Sequence, residues 1–539
     1  MDQTHWYKNA VFYELYVRAF YDSNGDGHGD LIGLMEKLDY LHELGVDCLW
    51  LLPIYPSPLK DDGYDIADYY GIHPDYGSLD DFKSLLKAAH ARGIRIIMDL
   101  VLNHTSDQHP WFQASCSDPD SPYRDYYVWS DTDKKYEQAR IIFVDTERSN
   151  WTWNPVAGQF YWHRFYACQP DLNYDNPAVR AEIFNILRFW LDMGVDGFRA
   201  DAVPYLFERD GTECENLPET HSFLKELRHY VDKHYPGRIL LCEANQWPQD
   251  VRPYFGSGDE FHLAFHFPLM PRIFMAMQRA DLTPIKWVLE QTPAIPDNCQ
   301  WCTFLRNHDE LTLEMVTEEE RQWLWRAYAP DALMRLNLGI RRRLAPLLDN
   351  DRRKIELAYS LLFTLPGSPI IYYGDEIGMG DNIRLHDRNG LRTPIQWDGG
   401  HNAGFSTKKK LYAPVLSRRQ YNPHRVNVAT QRIDTGSLWH TLRKMIAIRK
   451  RHDALSCGSM IWVNCGSLAV AAYVRNCNNE RLLVINNLSN SHQPITCSSL
   501  LGIHGDIRDM LTNLSISSSS GQLSVTLQPY EYRWLILPS

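Results

Sequence analysis

The sequence predicts an α/β protein: a (β/α)8 TIM barrel with a lid domain inserted after the third strand and an antiparallel β-sandwich domain at the C-terminus. Three observations predict this class. Eight short apolar runs rich in β-forming residues alternate with amphipathic helical stretches up to residue 377. Roughly 70 residues interrupt this alternation after the third run, far more than a usual connection. From about residue 455, short β-like pieces are separated by Asn, Ser and Gly.

The predicted strands are 11–20, 48–55, 95–104, 197–203, 238–245, 261–267, 300–309 and 369–377. Helix-patterned segments lie between them at 31–44, 79–91, 176–193, 218–234 and 352–365. Strands that alternate with helices form parallel sheets, and eight such units favour a closed barrel over an open sheet. Barrel enzymes carry their chemistry at the C-terminal ends of the strands, where most charged residues of these runs lie.

The same pattern divides the chain into three domains. The barrel takes residues 1–104 and 175–454, including a charged, helix-patterned insertion at 310–350 after the seventh strand. Residues 105–174, rich in Trp, Tyr, Asp and Pro, form the inserted domain over the barrel mouth. Residues 455–539 form the β-sandwich domain.

Composition limits the classes of partner and compartment. A net charge of -12 argues against binding nucleic acid or an anionic membrane, because both need a basic surface. No run of about 18 apolar residues is present, and the N-terminus lacks the pattern of a signal peptide. The 11 cysteines are an odd number without a disulfide framework, which predicts free thiols in a reducing cytoplasm. We therefore expect a cytoplasmic protein that acts on a neutral small molecule.

Three carboxylates lie at predicted strand ends. Asp201 follows Arg199 by two residues, so both side chains point the same way, and the cation is expected to lower the pKa of the carboxyl. An isolated Arg-x-Asp is more often only a structural ion pair. Glu243 follows an apolar run, which predicts a raised pKa and an acid role, and Asp309 ends the seventh strand.

These carboxylates would converge in a barrel together with Arg199, His104 and His308. Retaining glycosyl transfer needs a nucleophilic carboxylate, a carboxyl that acts as acid and then base, and negative charge beside an oxocarbenium-like transition state. The set supplies each part. Metal binding by the two histidines is the alternative, but their carboxylate neighbours favour contacts with a sugar.

Five segments together resemble the signature segments of the α-amylase family of glycoside hydrolases, and the resemblance runs from about residue 6 to the end. They are DLVLNH (99–104), QPDLN (169–173), GFRADAV (197–203), LLCEAN (240–245) and FLRNHD (304–309). The resemblance implies that Asp201 is the nucleophile, Glu243 the acid/base and Asp309 the carboxylate that binds the 2- and 3-hydroxyls of the sugar. The glucosyl-binding residues it further implies are His104, Gln169, Arg199 and His308, in a pocket closed by Asp61, Tyr64 and Arg392.

Longer segments resemble the trehalose synthase subfamily, namely 202–221, 261–275, 306–321, 337–357 and 372–383. The implied reaction is the reversible intramolecular conversion of maltose to trehalose through a β-glucosyl-enzyme, with minor hydrolysis to glucose. An α-glucosidase, a sucrose isomerase and an amylosucrase-type transferase of the same family are the alternatives. A catalytically inactive sugar-binding protein would be expected to lack one of the three carboxylates, and all three are present.

The resemblance also implies partners. It implies a homodimer, and any maltose kinase that works with this chain is expected to be a separate protein. Three departures from the family pattern do not touch the three carboxylates: Cys168, the segment IRLHDRNG (383–390) and the only loosely similar stretch 405–430.

Intramolecular transfer requires that the released glucose turn over and attack again while water is kept out. We hypothesise that four polar side chains cage it: Tyr205, Asn245, Glu310 and Glu314. The two glutamates are four residues apart, so one helical turn would present both on one face. The alternative is that they are solvated charges on a helix.

Two calcium sites are expected. Asp22, Asn24, Asp26, His28 and Asp30 recur at every second position, as in a calcium loop, but without the final Glu of an EF-hand. This spacing fits a calcium loop and a plain polar turn equally well. The family resemblance favours structural Ca2+ there, with the His28 carbonyl as a ligand, and implies a second site. The ligands of that second site are Asn103, Asp171, Glu208 and the carbonyls of Tyr205 and Leu206. No organic cofactor is expected.

Overall fold

A closed barrel of eight parallel strands forms the centre of the computed structural model, which describes residues 3–417, 420–497, 505–518 and 522–538. The strands are β1 (Phe12–Leu15), β2 (Cys48–Leu51), β3 (Arg95–Val101), β4 (Gly197–Asp201), β5 (Ile239–Cys242), β6 (Leu263–Phe265), β7 (Gln300–Phe304) and β8 (Ser368–Tyr372). β1 pairs with both β2 and β8, which closes the barrel. All eight predicted strands are confirmed. Each is shorter than its apolar run because the remaining residues form the loops at the barrel mouth.

The strand register sets the level of the catalytic candidates. Val101 at the end of β3 pairs with Asp201 at the end of β4, and Ala200 pairs with Cys242 on β5. Glu243 follows Cys242 directly, and its backbone N–H donates to the Ala200 carbonyl at 3.1 Å. The polar residues at the ends of the neighbouring strands β3, β4 and β5 therefore lie at the same height in the mouth of the barrel.

Helices surround the barrel. The longer ones are Leu31–Glu36, Leu38–Leu44, Leu79–His90, Pro177–Met193, Pro218–His234, Leu269–Arg279, Thr283–Glu290, Arg352–Thr364 and Leu438–Arg449. Short helical turns are Val17–Phe20, Pro248–Val251, Leu344–Leu347, Val428–Ile433 and Asp453–Ser456. The segment predicted as one helix at 31–44 is two, because Lys37 leaves the helical conformation with φ -102° and ψ 3°.

The inserted domain contains the helix Pro110–Ser117 and an antiparallel sheet of Trp129–Ser130, Gln159–Trp162 and Trp151–Asn154. Its aromatic residues pack together, as the stacking of Phe112 on Trp129 at 5.7 Å illustrates. The inserted domain follows β3 as predicted. Its exact boundaries, like those of the other domains, stay predictions.

The insertion after β7 is only partly helical. Its helix is Glu318–Tyr328, which begins at a capping box formed by Thr317 and Glu320. The strands Leu311–Thr312, Gly339–Ile340 and Arg335–Leu336 form a small antiparallel sheet before and after that helix. The prediction that one helical turn presents Glu310 and Glu314 is therefore wrong. Leu311 and Leu313 are both fully buried, and this alternation gives an extended segment.

The C-terminal domain is antiparallel, as predicted. Its main sheet contains Ser459–Trp462, Val470–Cys477, Glu480–Asn487, Tyr532–Ile536, Gly505–Asp509 and Ser515–Ser518, and a second sheet pairs Gln493–Cys497 with Leu523–Leu527. Cys465 and Cys497 form a disulfide in this domain, so the prediction of free thiols is wrong for this pair. Across the described ranges, no helix is long and apolar enough to cross a membrane.

Candidate active site

The guanidinium group of Arg199 is buried at the centre of the barrel mouth. Arg199 is 1% exposed and pairs with three carboxylates: Asp99 on β3, Asp201 on its own strand and Glu243 after β5. Its distance to Asp201 is 2.5 Å. Removing one partner of a buried ion pair typically costs about 3–5 kcal/mol, because the remaining charge stays desolvated. Asp99 was not singled out from the sequence, although it opens DLVLNH and lies one strand pairing away from Arg199.

Burial decides the protonation of the two carboxyls that Arg199 holds. It raises the pKa of Asp201 to about 6, although Arg199 lowers it. The expectation of a lowered pKa is therefore wrong, because desolvation outweighs the cation. Burial also raises the pKa of Glu243 to about 8, and the neighbouring Asp201 adds to this rise. The raised pKa of Glu243 was expected, and its carboxyl stays protonated at pH values at which Asp201 is ionised.

Asp309 is kept ionised by two arginines. Its Oδ1 accepts a hydrogen bond from Arg392 Nη2 at 2.9 Å and forms an ion pair with Arg388 Nε, also at 2.9 Å. Burial raises the pKa of Asp309, but His308, Arg388 and Arg392 beside it hold this pKa below its usual range. The pocket thus contains three carboxyl groups in three electrostatic environments.

The predicted histidines are neutral donors or acceptors. Burial lowers the pKa of His104 to about 3 and lowers that of His308 well below its usual value. His308 is hydrogen bonded to Glu14 at 2.5 Å and to the Tyr64 hydroxyl at 2.9 Å, and it stacks on the Tyr64 ring. His104 Nε2 is buried without a protein partner and lines the pocket, where it is available to a sugar hydroxyl.

The predicted pair of Asp61 and Arg392 does not form. Arg392 donates to Asp62 at 2.6 Å, whereas Asp61 accepts from Gln169 at 2.9 Å and lies 3.9 Å from Arg388. The sequence places two aspartates side by side, and only the loop conformation decides which one meets the arginine. Burial raises the pKa of Asp61 to about 7.

One cavity brings most of the candidates together. It is lined by ten of the predicted residues: Asp61, Tyr64, His104, Asp201, Tyr205, Glu243, Asn245, Asp309, Glu310 and Glu314. Gln169, Arg199, His308 and Arg392 lie behind this wall and hold the lining side chains in place. The inserted domain adds an apolar side to the cavity, formed by Ile142, Phe143 and Phe165.

The four proposed cage residues all line the cavity. Glu310 accepts from Arg388 at 2.8 Å and from Asn337 at 3.0 Å. Asn245 donates to Thr312 at 3.0 Å, while its Oδ1 is buried without a protein partner. The alternative of solvated helix charges is therefore not supported for Glu310, which is held by an arginine in the pocket wall.

Two contacts join the inserted domain to the insertion after β7. Arg140 donates to Glu314 at 2.7 Å and also to Tyr205 at 3.1 Å. Asn337 N–H donates to Asp145 at 2.7 Å. We call the Arg140–Glu314 ion pair the latch, because it joins the inserted domain to Glu314 in the cavity wall.

Sequence reasoning missed several residues of this site, chiefly Arg388, Arg140, Asn337 and Asp62. Arg388 lies in IRLHDRNG, the segment noted as a departure from the family pattern, and this difference was the available signal. Arg140 lies in the inserted domain, where no local pattern distinguishes it from other charged residues. Its role depends on a partner 174 positions away.

The second predicted calcium group fits a cation. Asn103, Asp171 and Glu208 each have a buried oxygen without a hydrogen-bond partner. Burial raises the pKa of Asp171 to about 8, and burial and Asp171 together raise that of Glu208. Two carboxyl oxygens and an amide oxygen, all buried and without partners, are the donor set that a hard cation satisfies.

The first predicted calcium loop uses its oxygens differently. Asp22 accepts from the N–H groups of Gly25 and Gly27, and Asp30 accepts from Ser23 and Gly33. Within the described residues, no three His, Cys, Asp or Glu side chains are grouped as metal ligands. Calcium at this loop stays a prediction.

Comparison with known proteins shows that this chain is similar to members of one enzyme family. The family described as alpha amylase, catalytic domain, matches residues 14–339 and 337–458, and a maltogenic amylase C-terminal domain matches 462–534. A trehalose synthase/amylase of Mycolicibacterium smegmatis is 58% identical over 99% of this chain and 93% of its own length. A trehalose synthase of Pimelobacter sp. is 57% identical over 92% of this chain and 89% of its own length. The crystal structure of a trehalulose synthase from Pseudomonas mesoacidophila MX-45 matches with a TM-score of 0.81 and 30% identity over 99% of each chain.

Proposed function

This chain belongs to the α-amylase family of glycoside hydrolases, and we propose that it converts maltose to trehalose reversibly by moving a glucosyl unit within one bound disaccharide. Its similarity to two trehalose synthases over nearly its whole length supports this reaction. The observation in the site that carries the proposal is a set of polar side chains that share one cavity with the three carboxylates. Among them, Glu310 and Glu314 line the cavity and are held by Arg388 and Arg140.

The first step forms a covalent intermediate. Ionised Asp201 attacks the anomeric carbon of the non-reducing glucose, while protonated Glu243 donates its proton to the leaving oxygen. Asp309, held ionised by two arginines, binds hydroxyls of the same ring, and neutral His104 donates or accepts a further hydrogen bond. The product of this step is a β-glucosyl ester on Asp201 and a free glucose.

The second step depends on keeping that glucose in place. Glu310, Glu314, Asn245 and Tyr205 surround it with hydrogen-bonding groups that allow it to turn over within the cavity. Glu243, now ionised, removes the proton from the anomeric hydroxyl of the glucose, which attacks the ester and forms trehalose. Water that reaches the ester instead gives glucose, which accounts for a minor hydrolytic product.

Incubation with maltose in the presence of labelled free glucose tests this function. We expect trehalose that carries no label, because the caged glucose does not exchange with the solution. Glucose as the sole product would instead make the chain an α-glucosidase. A parallel incubation with sucrose distinguishes a sucrose isomerase or an amylosucrase-type transferase by its products.

A structural calcium ion is part of the proposal. The ligands would be Asn103, Asp171, Glu208 and the carbonyls of Tyr205 and Leu206, and the support is the set of buried oxygens without partners. The ion would stabilise the loop that carries Tyr205 to the cavity. No step of the reaction passes through it.

The small-molecule substrate class is supported by the family, whereas other associations stay predictions from the resemblance. These are a homodimer, a separate maltose kinase and a cytoplasmic location. The nine other cysteines are free, in agreement with a reducing compartment, while the Cys465–Cys497 disulfide does not support one.

A further inference from the structure

A carboxyl group on the first barrel strand is buried next to the active site and has no role in the steps above. Glu14 on β1 is fully buried and does not line the catalytic cavity. Its Oε1 lies 2.5 Å from His308 Nδ1 and accepts the backbone N–H of His308 at 3.0 Å. Its Oε2 is buried without a hydrogen-bond partner. In the described part of the chain, every hydrogen bond of the Glu14 side chain therefore goes to His308.

The other ring nitrogen of His308 faces two residues of the cavity wall. Nε2 lies 3.2 Å from Asp309 Oδ2 and is hydrogen bonded to the Tyr64 hydroxyl at 2.9 Å. A proton on Nε2 attracts the ionised carboxylate of Asp309, whereas a lone pair there would repel it. The Tyr64 oxygen is free to accept this proton, because its own hydrogen is directed to Asp99 Oδ2 at 3.4 Å. The geometry therefore favours a proton on Nε2.

This arrangement decides which group supplies the proton between Oε1 and Nδ1. Burial lowers the pKa of His308, so its imidazole is neutral and carries a single proton. With that proton on Nε2, Nδ1 is an acceptor. Burial raises the pKa of Glu14 well above its usual value, so its carboxyl is a protonated acid. A hydroxyl oxygen both donates and accepts, so the same oxygen serves Nδ1 and the backbone N–H.

We propose that Glu14 is a positioning residue: its carboxylic acid donates a hydrogen bond to His308 Nδ1 and thereby keeps the imidazole proton on Nε2, beside Asp309. The inference rests on the proposed function for the role of Asp309, which binds hydroxyls of the glucosyl ring. Glu14 acts only through His308. The two arginines hold Oδ1 of Asp309, and the His308 Nε2–H faces Oδ2, so both oxygens of this carboxylate have a positive partner.

Glu14→Gln tests the donated hydrogen bond without changing the shape of the side chain. An amide oxygen at the position of Oε1 accepts the backbone N–H of His308 but forces the imidazole proton onto Nδ1. An amide nitrogen at that position donates to Nδ1 but faces the backbone N–H. Either orientation loses a favourable contact, so KM for maltose should rise roughly tenfold, with a smaller change in kcat.

Glu376→Gln is the matched control. Glu376 is also fully buried and lies outside the cavity wall. Its Oε1 accepts from the hydroxyls of Tyr13 and Tyr40 at 2.9 and 2.6 Å, and an amide oxygen accepts from both equally well. KM for maltose should therefore stay unchanged in this variant, although it too replaces a buried carboxyl by an amide.

NMR of the unmodified protein labelled with 15N-histidine reads the tautomer directly and does not depend on whether Glu14→Gln folds. The His308 signals are identified by their absence from a His308→Gln protein. We expect Nε2 to carry the proton. A proton on Nδ1 in place of Nε2 would overturn the proposal, and so would a KM that is the same in the Glu14→Gln and Glu376→Gln proteins.

The kinetic test is independent of the product formed. Turnover is counted as the sum of glucose and trehalose, so KM for maltose is measured whichever sugar accumulates. A protein that releases only glucose would refute the proposed function, while the effect of Glu14→Gln on KM would still decide the role of Glu14.

Discussion

At the scale of single residues, one guanidinium and its burial assign the roles of the carboxyls. Arg199 contacts Asp201 and Glu243 alike, so its charge alone does not distinguish them. Burial raises the pKa of both carboxyls, but Asp201 raises that of Glu243 further, whereas Glu243 lowers that of Asp201 through a hydrogen bond. The pKa of Glu243 is therefore about 8 and that of Asp201 about 6. The two groups interact directly, so these values describe the titration of the pair.

The pH dependence of activity follows from this order. We expect kcat/KM for maltose to rise near pH 6 as Asp201 ionises and to fall near pH 8 as Glu243 loses its proton. Glu243→Gln should lower kcat/KM by roughly 10²- to 10⁴-fold and remove the alkaline limb. The exposed Glu226→Gln serves as the control. An alkaline limb that persists in the Glu243→Gln protein would contradict the assignment.

Arg388 is expected to bind substrate indirectly, through Asp309. Arg388→Ala removes one of the two arginines that keep Asp309 ionised, so the pKa of Asp309 should rise. Asp309 should then bind the hydroxyls of the sugar more weakly. A lost charge-assisted hydrogen bond of about 1.5–3 kcal/mol predicts roughly a 10- to 100-fold fall in kcat/KM, chiefly through KM. Steady-state kinetics with maltose measures this change. Arg384→Ala, at an exposed position of the same segment, should have no such effect.

At the scale of elements, the proposed mechanism assigns the balance between isomerisation and hydrolysis to the loops rather than to the strands. The inserted domain and the insertion after β7 meet through the latch and through the contact of Asn337 with Asp145. Neither segment contributes a barrel strand. In the proposed mechanism they determine how long the released glucose stays, while the strand ends determine whether the glycosidic bond breaks.

Opening the latch should therefore change the products more than the rate. Arg140→Ala removes the partner of Glu314, and we expect the ratio of glucose to trehalose formed from maltose to rise several-fold. Glu310→Ala and Glu314→Ala should act in the same direction. Chromatography of the products measures the ratio, and the exposed Arg148→Ala is the control. If the ratio is unchanged in all three variants, the caging role is wrong.

Calcium should stabilise the protein through the second group of ligands. A calcium concentration near 100 times Kd should raise the free energy of unfolding by about 2.7 kcal/mol, which is measured as a higher Tm. Because burial raises the pKa of Asp171 to about 8, the ion must displace a proton near neutral pH, and the stabilisation should grow as pH rises from 6 to 9. Asp171→Asn should reduce the effect, and the exposed Asp120→Asn should not. A Tm that does not respond to calcium or chelator would contradict the site.

At the scale of the whole molecule, the barrel and the C-terminal domain share one core. Trp534 and Tyr473 of the C-terminal sheet belong to the same hydrophobic cluster as the barrel. Trp534 donates to Ser360 at 2.9 Å, and Tyr473 is hydrogen bonded to Thr364 at 2.6 Å, both on the helix Arg352–Thr364. The β-domain therefore supports the helix that precedes β8.

Unfolding of the two domains should be coupled. Trp534→Ala is expected to lower the free energy of unfolding by about 3–5 kcal/mol, because it leaves a large cavity at the interface and removes the partner of Ser360. Calorimetry should show a lower Tm for a single transition that includes the barrel. Ile461→Ala, at a position 58% exposed in the same sheet, should have little effect. Two separate transitions with an unshifted barrel would contradict the coupling.

The sequence by itself determined the barrel, its order of strands and the three carboxylates. The period of apolar residues and the position of polar residues just after each strand are local properties of the sequence. They predict β3, β4 and β5 directly. Tertiary structure alone decided which of two adjacent aspartates meets Arg392, that Arg140 contacts Glu314 in the cavity wall, that Cys465 bonds to Cys497, and that the pKa of Asp201 rises. Each of these depends on burial or on a partner far along the chain, which loop conformation sets and local periodicity does not encode.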